Sequence, residues 1–240
     1  MIPPVIFMSA SPYFLDFAVA FVRGTARQIG EPTLGNDLLI KPLELLTDKE
    51  KKTIIDAGCG LKLHRFKSGH ADMPRVRRTI GFLRGVMPSS ILDIGSGRGA
   101  FLWTCLDAFP GVSHTATDID EHRVNLYETV RLGGIERLNG IHCDIQSPTS
   151  EFLEQTFDVV TMLEVLEHLP DPETALRNVV RLAQRYVVIS VPSKEDDNPA
   201  HLQLFSEKLL SEMLERIDGI KRFRYDYVLD HLFAFLTVQS

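Results

Sequence analysis

Cysteine is scarce in this chain. The 240 residues include three, Cys59, Cys105 and Cys143, widely spaced and with no Cys-x-x-Cys pair. That argues against a disulfide framework or a thiolate zinc cluster and points to a reducing compartment, so we expect the cytoplasm. Positive charge is not in excess either. Lys and Arg number 26 against 32 Asp and Glu, a formal net charge of −6, whereas a general nucleic-acid binder needs a cationic surface to neutralise phosphates. No long apolar run survives inspection. The first 22 residues are largely hydrophobic, but Pro12 and Asp16 interrupt them and no basic stretch precedes, so we expect neither a signal peptide nor a membrane partner. Repeats and low-complexity tracts are absent. What remains, 44% hydrophobic and 24% charged, is an ordinary globular composition. The length suits one large domain plus an appendage.

The N-terminal 80 residues read as helical. Ser11 can cap a helix with Pro12 at its first position, placing Phe14, Phe17, Ala18, Phe21 and Val22 on one face, with Gly30 as a stop. That face fits either packing on the rest of the chain or a lid over a substrate. Thr47 and Glu50 have capping-box spacing, and Gly58 ends the short helix they begin. We therefore divide the chain into a helical extension or lid, 1–80, and a main domain, 81–240.

From Ser90 the texture changes. Ile91–Ile94, Ser113–Asp118, Gly140–Asp144, Phe157–Leu163 and Tyr186–Val191 read as strands, alternating with helical patterns at Phe101–Phe109, Glu121–Leu132 and Glu173–Ala183. Such alternation with short links implies parallel strands joined by right-handed crossovers, an α/β doubly wound, mostly parallel sheet. A helix at Ser206–Arg216 follows. Arg222–Val228 and His231–Val238 then lie too close for a crossover and imply an antiparallel hairpin.

The run Ile91-Leu92-Asp93-Ile94-Gly95-Ser96-Gly97-Arg98-Gly99 is a buried strand feeding a glycine loop. Glycines allow a sharp turn and close approach of backbone to ligand, so a nucleotide-like ligand is expected. Asp118, 23 residues after Gly95 at the end of the second strand, can accept hydrogen bonds from two ribose hydroxyls. Asp144 with Ile145 offers a polar acceptor beside an apolar wall, suited to adenine. Two cofactor classes fit, a dinucleotide and S-adenosylmethionine. Asp93 separates them: a carboxylate just before the loop repels a pyrophosphate but suits the cationic amino group of S-adenosylmethionine, directly or through water. A second string, Ile54-Ile55-Asp56-Ala57-Gly58-Cys59-Gly60, spells a similar loop. Its capping box makes it a helix end, and no acidic strand end follows at the right distance.

Over residues 75–238 the chain resembles the class I S-adenosylmethionine-dependent methyltransferases, on the Asp-x-Gly-x-Gly-x-Gly loop, Asp118, Asp144, Leu163-Glu164 after the fourth strand, and the closing hairpin. The resemblance implies a seven-stranded Rossmann-like sheet with the last strand antiparallel. It further implies a cofactor site of Asp93, Gly95, Ser96, Gly97, Gly99, Asp118, Ile119, Asp144, Ile145 and Leu163.

After the fourth strand comes Leu163-Glu164-Val165-Leu166-Glu167-His168-Leu169, at the end of the sheet where open α/β folds bind ligands. Methyl transfer requires alignment and, for a hydroxyl acceptor, removal of a proton; His168 with Glu164 is the candidate catalytic pair. Glu164, Glu167, His168 and His201 together form a donor set that a divalent metal accepts. The Glu-x-x-Glu-His string is similar to that of ubiquinone-biosynthesis O-methyltransferases and of small-RNA 2′-O-methyltransferases, where it implies metal-assisted transfer to a hydroxyl. The segment Asn198-Pro199-Ala200-His201-Leu202 lacks the neighbouring histidine and aromatic pattern of the RNA enzymes. A small-molecule acceptor is therefore favoured over RNA, and the string also fits a loop ordered without metal. Lys62, Arg65, Lys67, Arg75, Arg77, Arg78 and Arg84 form either an acidic-acceptor site or a solvated helix surface. Two other classes stay in view, a nicotinamide-dependent oxidoreductase and a non-catalytic interaction module. The hairpin leaves the first no room for a substrate domain, and the intact Gly95, Gly97, Gly99, Asp118 and Asp144 speak against the second.

Overall fold

A computed structural model describes residues 14–30, 34–194 and 197–239. The expected cap at Ser11 and Pro12 lies outside them. Helix α1 (Leu15–Ile29) buries Phe17, Ala18 and Val22 and ends on Gly30, whose φ of 65° is the left-handed stop that favours glycine. Helices α2 (Asn36–Ile40) and α3 (Asp48–Ala57) follow. Thr47 and Glu50 form the expected box, the Thr47 N–H donating to Glu50 Oε2 at 2.7 Å and the Glu50 N–H to Thr47 Oγ1 at 3.3 Å. The glycine string at 54–60 is thus a helix end and a turn. Two 3₁₀ turns, Leu63–Phe66 and Ser68–Asp72, lead to α4 (Pro74–Val86), which runs across residues 80 and 81.

The remainder alternates strand and helix, with a short α7 not expected from the sequence: β1 (Ser90–Ile94), α5 (Leu102–Ala108), β2 (Ser113–Asp118), α6 (Glu121–Leu132), β3 (Leu138–His142), α7 (Ser150–Leu153), β4 (Phe157–Leu163), α8 (Pro172–Leu182), β5 (Ala183–Pro192), α9 (Glu207–Leu214), β6 (Ile220–Val228) and β7 (His231–Val238). The strands form one seven-stranded sheet in the order β3-β2-β1-β4-β5-β7-β6. Strands β1 to β5 pair in parallel, and β7 is antiparallel to both neighbours. Strand β3 ends two residues before the expected Asp144. The Asp144 carboxylate accepts the Gln146 N–H at 2.9 Å, a local turn that competes with the ladder.

One sheet face packs α8 and α9 over Val160, Met162, Val187, Ile189 and Leu236. On the other, α4 covers Ile91, Val159, Val188 and Phe233. The N-terminal helices form a third cluster with α5 and α6, in which Phe17, Phe66 and Tyr127 surround Trp103 with ring centroids 5.0–6.1 Å away. Each such buried aromatic or aliphatic side chain stabilises by roughly 1.5–3 kcal/mol. Helices α1 and α6 meet backbone to backbone: a Cβ at Gly133 would stand 1.7 Å from Ala20 O, and one at Gly24 would stand 1.9 Å from Thr129 O. On the aromatic face of α1, Phe17 is buried in this cluster and Phe14 and Phe21 pack against it. No helix among the described residues is long and apolar enough to cross a membrane.

Candidate active site

The turn after β1 is built by its glycines. Gly95, Gly97 and Gly99 have φ of 67°, 59° and 83°, a region that side chains rarely enter. Space forbids side chains as well, since a Cβ on Gly95 would meet Val165 at 2.5 Å and one on Gly99 would meet Trp103 at 2.1 Å. The loop is pinned from several sides. The Ser96 N–H donates to Thr117 O at 2.9 Å, the Gly97 N–H to Asp118 Oδ2 at 2.8 Å, and the buried Tyr127 hydroxyl to Gly97 O at 2.7 Å. Burial raises the Tyr127 phenol far above its usual range, so it remains a donor.

Beside the loop, at the carboxyl ends of the strands, lies a cavity of about 510 Å³, a size typical of small-molecule sites. Gly95, Gly97, Asp118, Ile119, Asp144, Ile145, Glu164 and His168, all expected from the sequence, line it. Asp93, Ser96, Gly99, Leu163, Glu167 and His201 do not. Asp93 is buried behind the loop, where its Oδ1 accepts the Thr161 hydroxyl at 2.7 Å. Burial pushes its carboxyl up to about 6, against hydrogen bonds from Ser96 and Thr161. Asp93 therefore stands behind the turn and outside the cavity lining. Ser96 folds back, its hydroxyl donating to Asp93 O at 3.1 Å.

Sequence reasoning missed Arg123, Cys143, Val165, Leu169 and Ala200 in the lining. Arg123 could have been found, for it lies three residues beyond Asp120, which it pairs with at 3.4 Å. Burial, aided by Asp144, pushes the Cys143 thiol up to about 11, leaving it an apolar wall.

The acceptor end differs from expectation. Glu164 has a φ of 58°, which turns its side chain onto the sheet, where the buried Ser190 hydroxyl donates to Oε1 at 2.6 Å and His231 Nε2 lies 3.1 Å from Oε2. Burial acts to raise its carboxyl, but the His231 and Ser190 hydrogen bonds outweigh it and hold the group below its ordinary value. The four expected metal ligands therefore do not converge. Glu167, His168 and His201 place ligand atoms within 4.8 Å of one another, while Glu164 faces Ser190 and His231. His168 Nδ1 lies 2.9 Å from Ala200 O. A carbonyl only accepts, so Nδ1 carries the proton and, in the neutral ring, Nε2 carries the lone pair. The expected basic segment contributes no residue to the cavity lining; Arg78 pairs with Asp226 at 2.6 Å and lies over the Phe235 ring.

Sheet, glycine turn and cavity together define a Rossmann-like α/β protein with a cleft at the carboxyl ends of its parallel strands. Residues 92–185 match a methyltransferase-domain family model. The chain is 33% identical over 135 residues to the ubiquinone biosynthesis O-methyltransferase of Bordetella parapertussis, a match covering 52% of each chain, so it spans about half the length of the curated relatives it matches. Among solved structures it is similar to an O-methyltransferase family protein from Burkholderia thailandensis, with a TM-score of 0.56, 14% identity, and coverage of 92% of this chain and 72% of that one. It is likewise similar to the N-terminal domain of EvdMO1 with SAH bound, with a TM-score of 0.53, 17% identity, and coverage of 72% and 82%. At those identities the structural likeness is one of fold. Together with the family match over residues 92–185, it makes the chain similar to the class I S-adenosylmethionine-dependent methyltransferases.

Proposed function

We propose that the chain is an enzyme that binds S-adenosylmethionine and transfers its methyl group to a hydroxyl of a small molecule. The observation that carries this reading is the glycine turn clamped to Asp118 at one end of the cavity, with Asp93 charged for an amino group behind it and His168 at the other end. The methionine moiety is assigned to Gly95–Gly99, the ribose to Asp118, and the adenine to the space among Ile119, Cys143, Asp144 and Ile145. The acceptor then lies toward Glu164, Val165 and His168. Transfer from a sulfonium is an in-line displacement, so alignment supplies most of the acceleration. His168 Nε2 takes the hydroxyl proton, its ring held in the required tautomer by Ala200 O. Within the expected extension, 1–80, the described helices α1 to α3 pack on the catalytic domain, 81–240, with α4 shared between them. A cytoplasmic location is supported by the free thiols of Cys59, Cys105 and Cys143. RNA is the less favoured acceptor for a chain of net charge −6.

A second reading has one specific observation in its favour. Glu167, His168 and His201 cluster, and the His168 Nδ1 bond to a backbone carbonyl is the outer support typical of a metal-ligating imidazole. These three residues fit a divalent ion, which would supply Lewis-acid activation of a hydroxyl when bound.

Transfer of labelled methyl from S-adenosylmethionine to a panel of catechols and other hydroxyl-bearing small molecules, with and without a chelator, tests both readings. Labelled product that resists chelation supports His168 acting alone; loss of product on chelation, restored by Mg²⁺ or Zn²⁺, supports the metal. Failure to label any hydroxyl while labelling amines would overturn the assignment of oxygen.

A further inference from the structure

Asp118 is 3% exposed, and its hydrogen bonds can be counted. A carboxylate offers about four lone-pair sites. Oδ2 accepts the Gly97 N–H at 2.8 Å and Arg123 Nη1 at 3.2 Å; Oδ1 accepts the Asp120 N–H at 3.0 Å and the same Nη1 at 3.3 Å. All four sites are taken. A ribose that binds through its 2′ and 3′ hydroxyls needs two of them, so two of the present contacts must be given up.

The backbone donors are fixed. Gly97 sits in the left-handed turn with its carbonyl tied to Tyr127, and Asp120 is the N-cap of α6, its side chain accepting the His122 N–H at 2.9 Å. Arg123 differs in kind: its side chain is 42% exposed, it lines the cavity, and its Nε lies 3.4 Å from Asp120 Oδ2, a second carboxylate that can keep it after release. We propose that Arg123 is a latch on the ribose subsite, neutralising Asp118 in the empty protein and yielding both of its bonds to the ribose hydroxyls when the cofactor enters. This inference rests on the S-adenosylmethionine reading of the cavity. It adds that cofactor affinity is set partly by a competitor built into the chain.

A competitor and a ligand contact respond oppositely to removal. Titration calorimetry of the full chain with S-adenosylhomocysteine compares wild type with Arg123→Gln and Arg123→Lys. Arg123→Gln leaves the buried Asp118 without a cation in the empty state, so the empty protein melts at a lower temperature. It also binds S-adenosylhomocysteine roughly three- to tenfold more tightly, the range for losing a half-exposed, charge-assisted contact. Arg123→Lys, which keeps the charge on a shorter reach, falls between. Unchanged or weaker binding in Arg123→Gln, with wild type binding normally, overturns the latch alone. No binding by the wild type overturns the cofactor reading from which the latch follows.

Discussion

The two halves of the cleft are built by different means. At the end of β1, the turn facing the cleft is main chain pinned by its surroundings: three glycines at positive φ, the Ser96 amide tied to Thr117 O, the Gly97 amide to the Asp118 carboxylate, and the Gly97 carbonyl held by the Tyr127 hydroxyl. Over β4, β5 and β7, the surface is side chains, with Glu164 held by the side chains of Ser190 and His231, and His168 held by Ala200 O beside His201. A backbone cradle recognises a constant ligand and tolerates few substitutions. Side-chain walls can change without disturbing the sheet, which is how one fold serves many acceptors. The difference implies that variants in the first half fail in folding or cofactor binding, and variants in the second fail in transfer.

The largest effect expected is at Gly99. A valine there combines φ of 83° with a Cβ 2.1 Å from Trp103 Nε1. Urea unfolding should show a loss of about 3–5 kcal/mol, the scale of a core clash plus backbone strain. A loss under about 1 kcal/mol, inside the range of ordinary surface changes, would show that the cradle is less constrained than described. Next, His168→Gln should lower kcat for the identified acceptor by roughly 10²–10⁴, the usual contribution of a general base. Its affinity for S-adenosylhomocysteine should stay within about threefold, since no cofactor contact is removed. A large fall in cofactor affinity would erase the division between the halves. Asp118→Ala should weaken S-adenosylhomocysteine by about 1.5–3 kcal/mol, as expected for charged hydrogen bonds.

The smallest effect is a pH dependence. Burial raises the Asp93 carboxyl to about 6 from 3.8, so between those values the folded protein holds a proton that the unfolded chain releases. Its contribution to stability is therefore greatest at low pH and falls as pH rises through about 6. The cationic amino group of S-adenosylmethionine needs the ionised form, so cofactor affinity should rise over the same interval. Asp118 adds to the upward push, while Ser96 and Thr161 oppose it. Asp93→Asn keeps an acceptor for Thr161 and removes the charge. It should gain about 1–2 kcal/mol of stability at pH 7.5 without ligand and lose the pH dependence of cofactor binding. Parallel denaturation curves for the two proteins at pH 5 and 7.5 provide the check; an unchanged difference would mean that Asp93 ionises normally.

The same contrast decided what could be read from the sequence. The glycine turn, Asp118 and the alternation of strands and helices were legible because each depends on local chemistry: glycine at positive φ, an acid ending an apolar run, alternation with short links. The capping box at Thr47 and Glu50 was legible for the same reason. Glu164 was not. Its direction depends on Ser190 and His231, brought alongside by β5 and β7, and no spacing within Glu-x-x-Glu-His reveals that it turns from the other three ligands. Asp93 was legible as a charge but not as a buried one, because its position depends on Thr161 in the neighbouring strand. Strand β3 lies two residues earlier than expected, at Leu138–His142, and the Asp144 side chain beyond its end captures the Gln146 amide in a turn.

The central claim is that the turn after β1 suits an amino acid joined to adenosine, not linked phosphates. Competitive calorimetry with S-adenosylmethionine and NADH on the wild-type protein tests it most directly. Saturable heat from S-adenosylmethionine, undiminished by excess NADH, is the predicted result; saturable heat from NADH alone would contradict it.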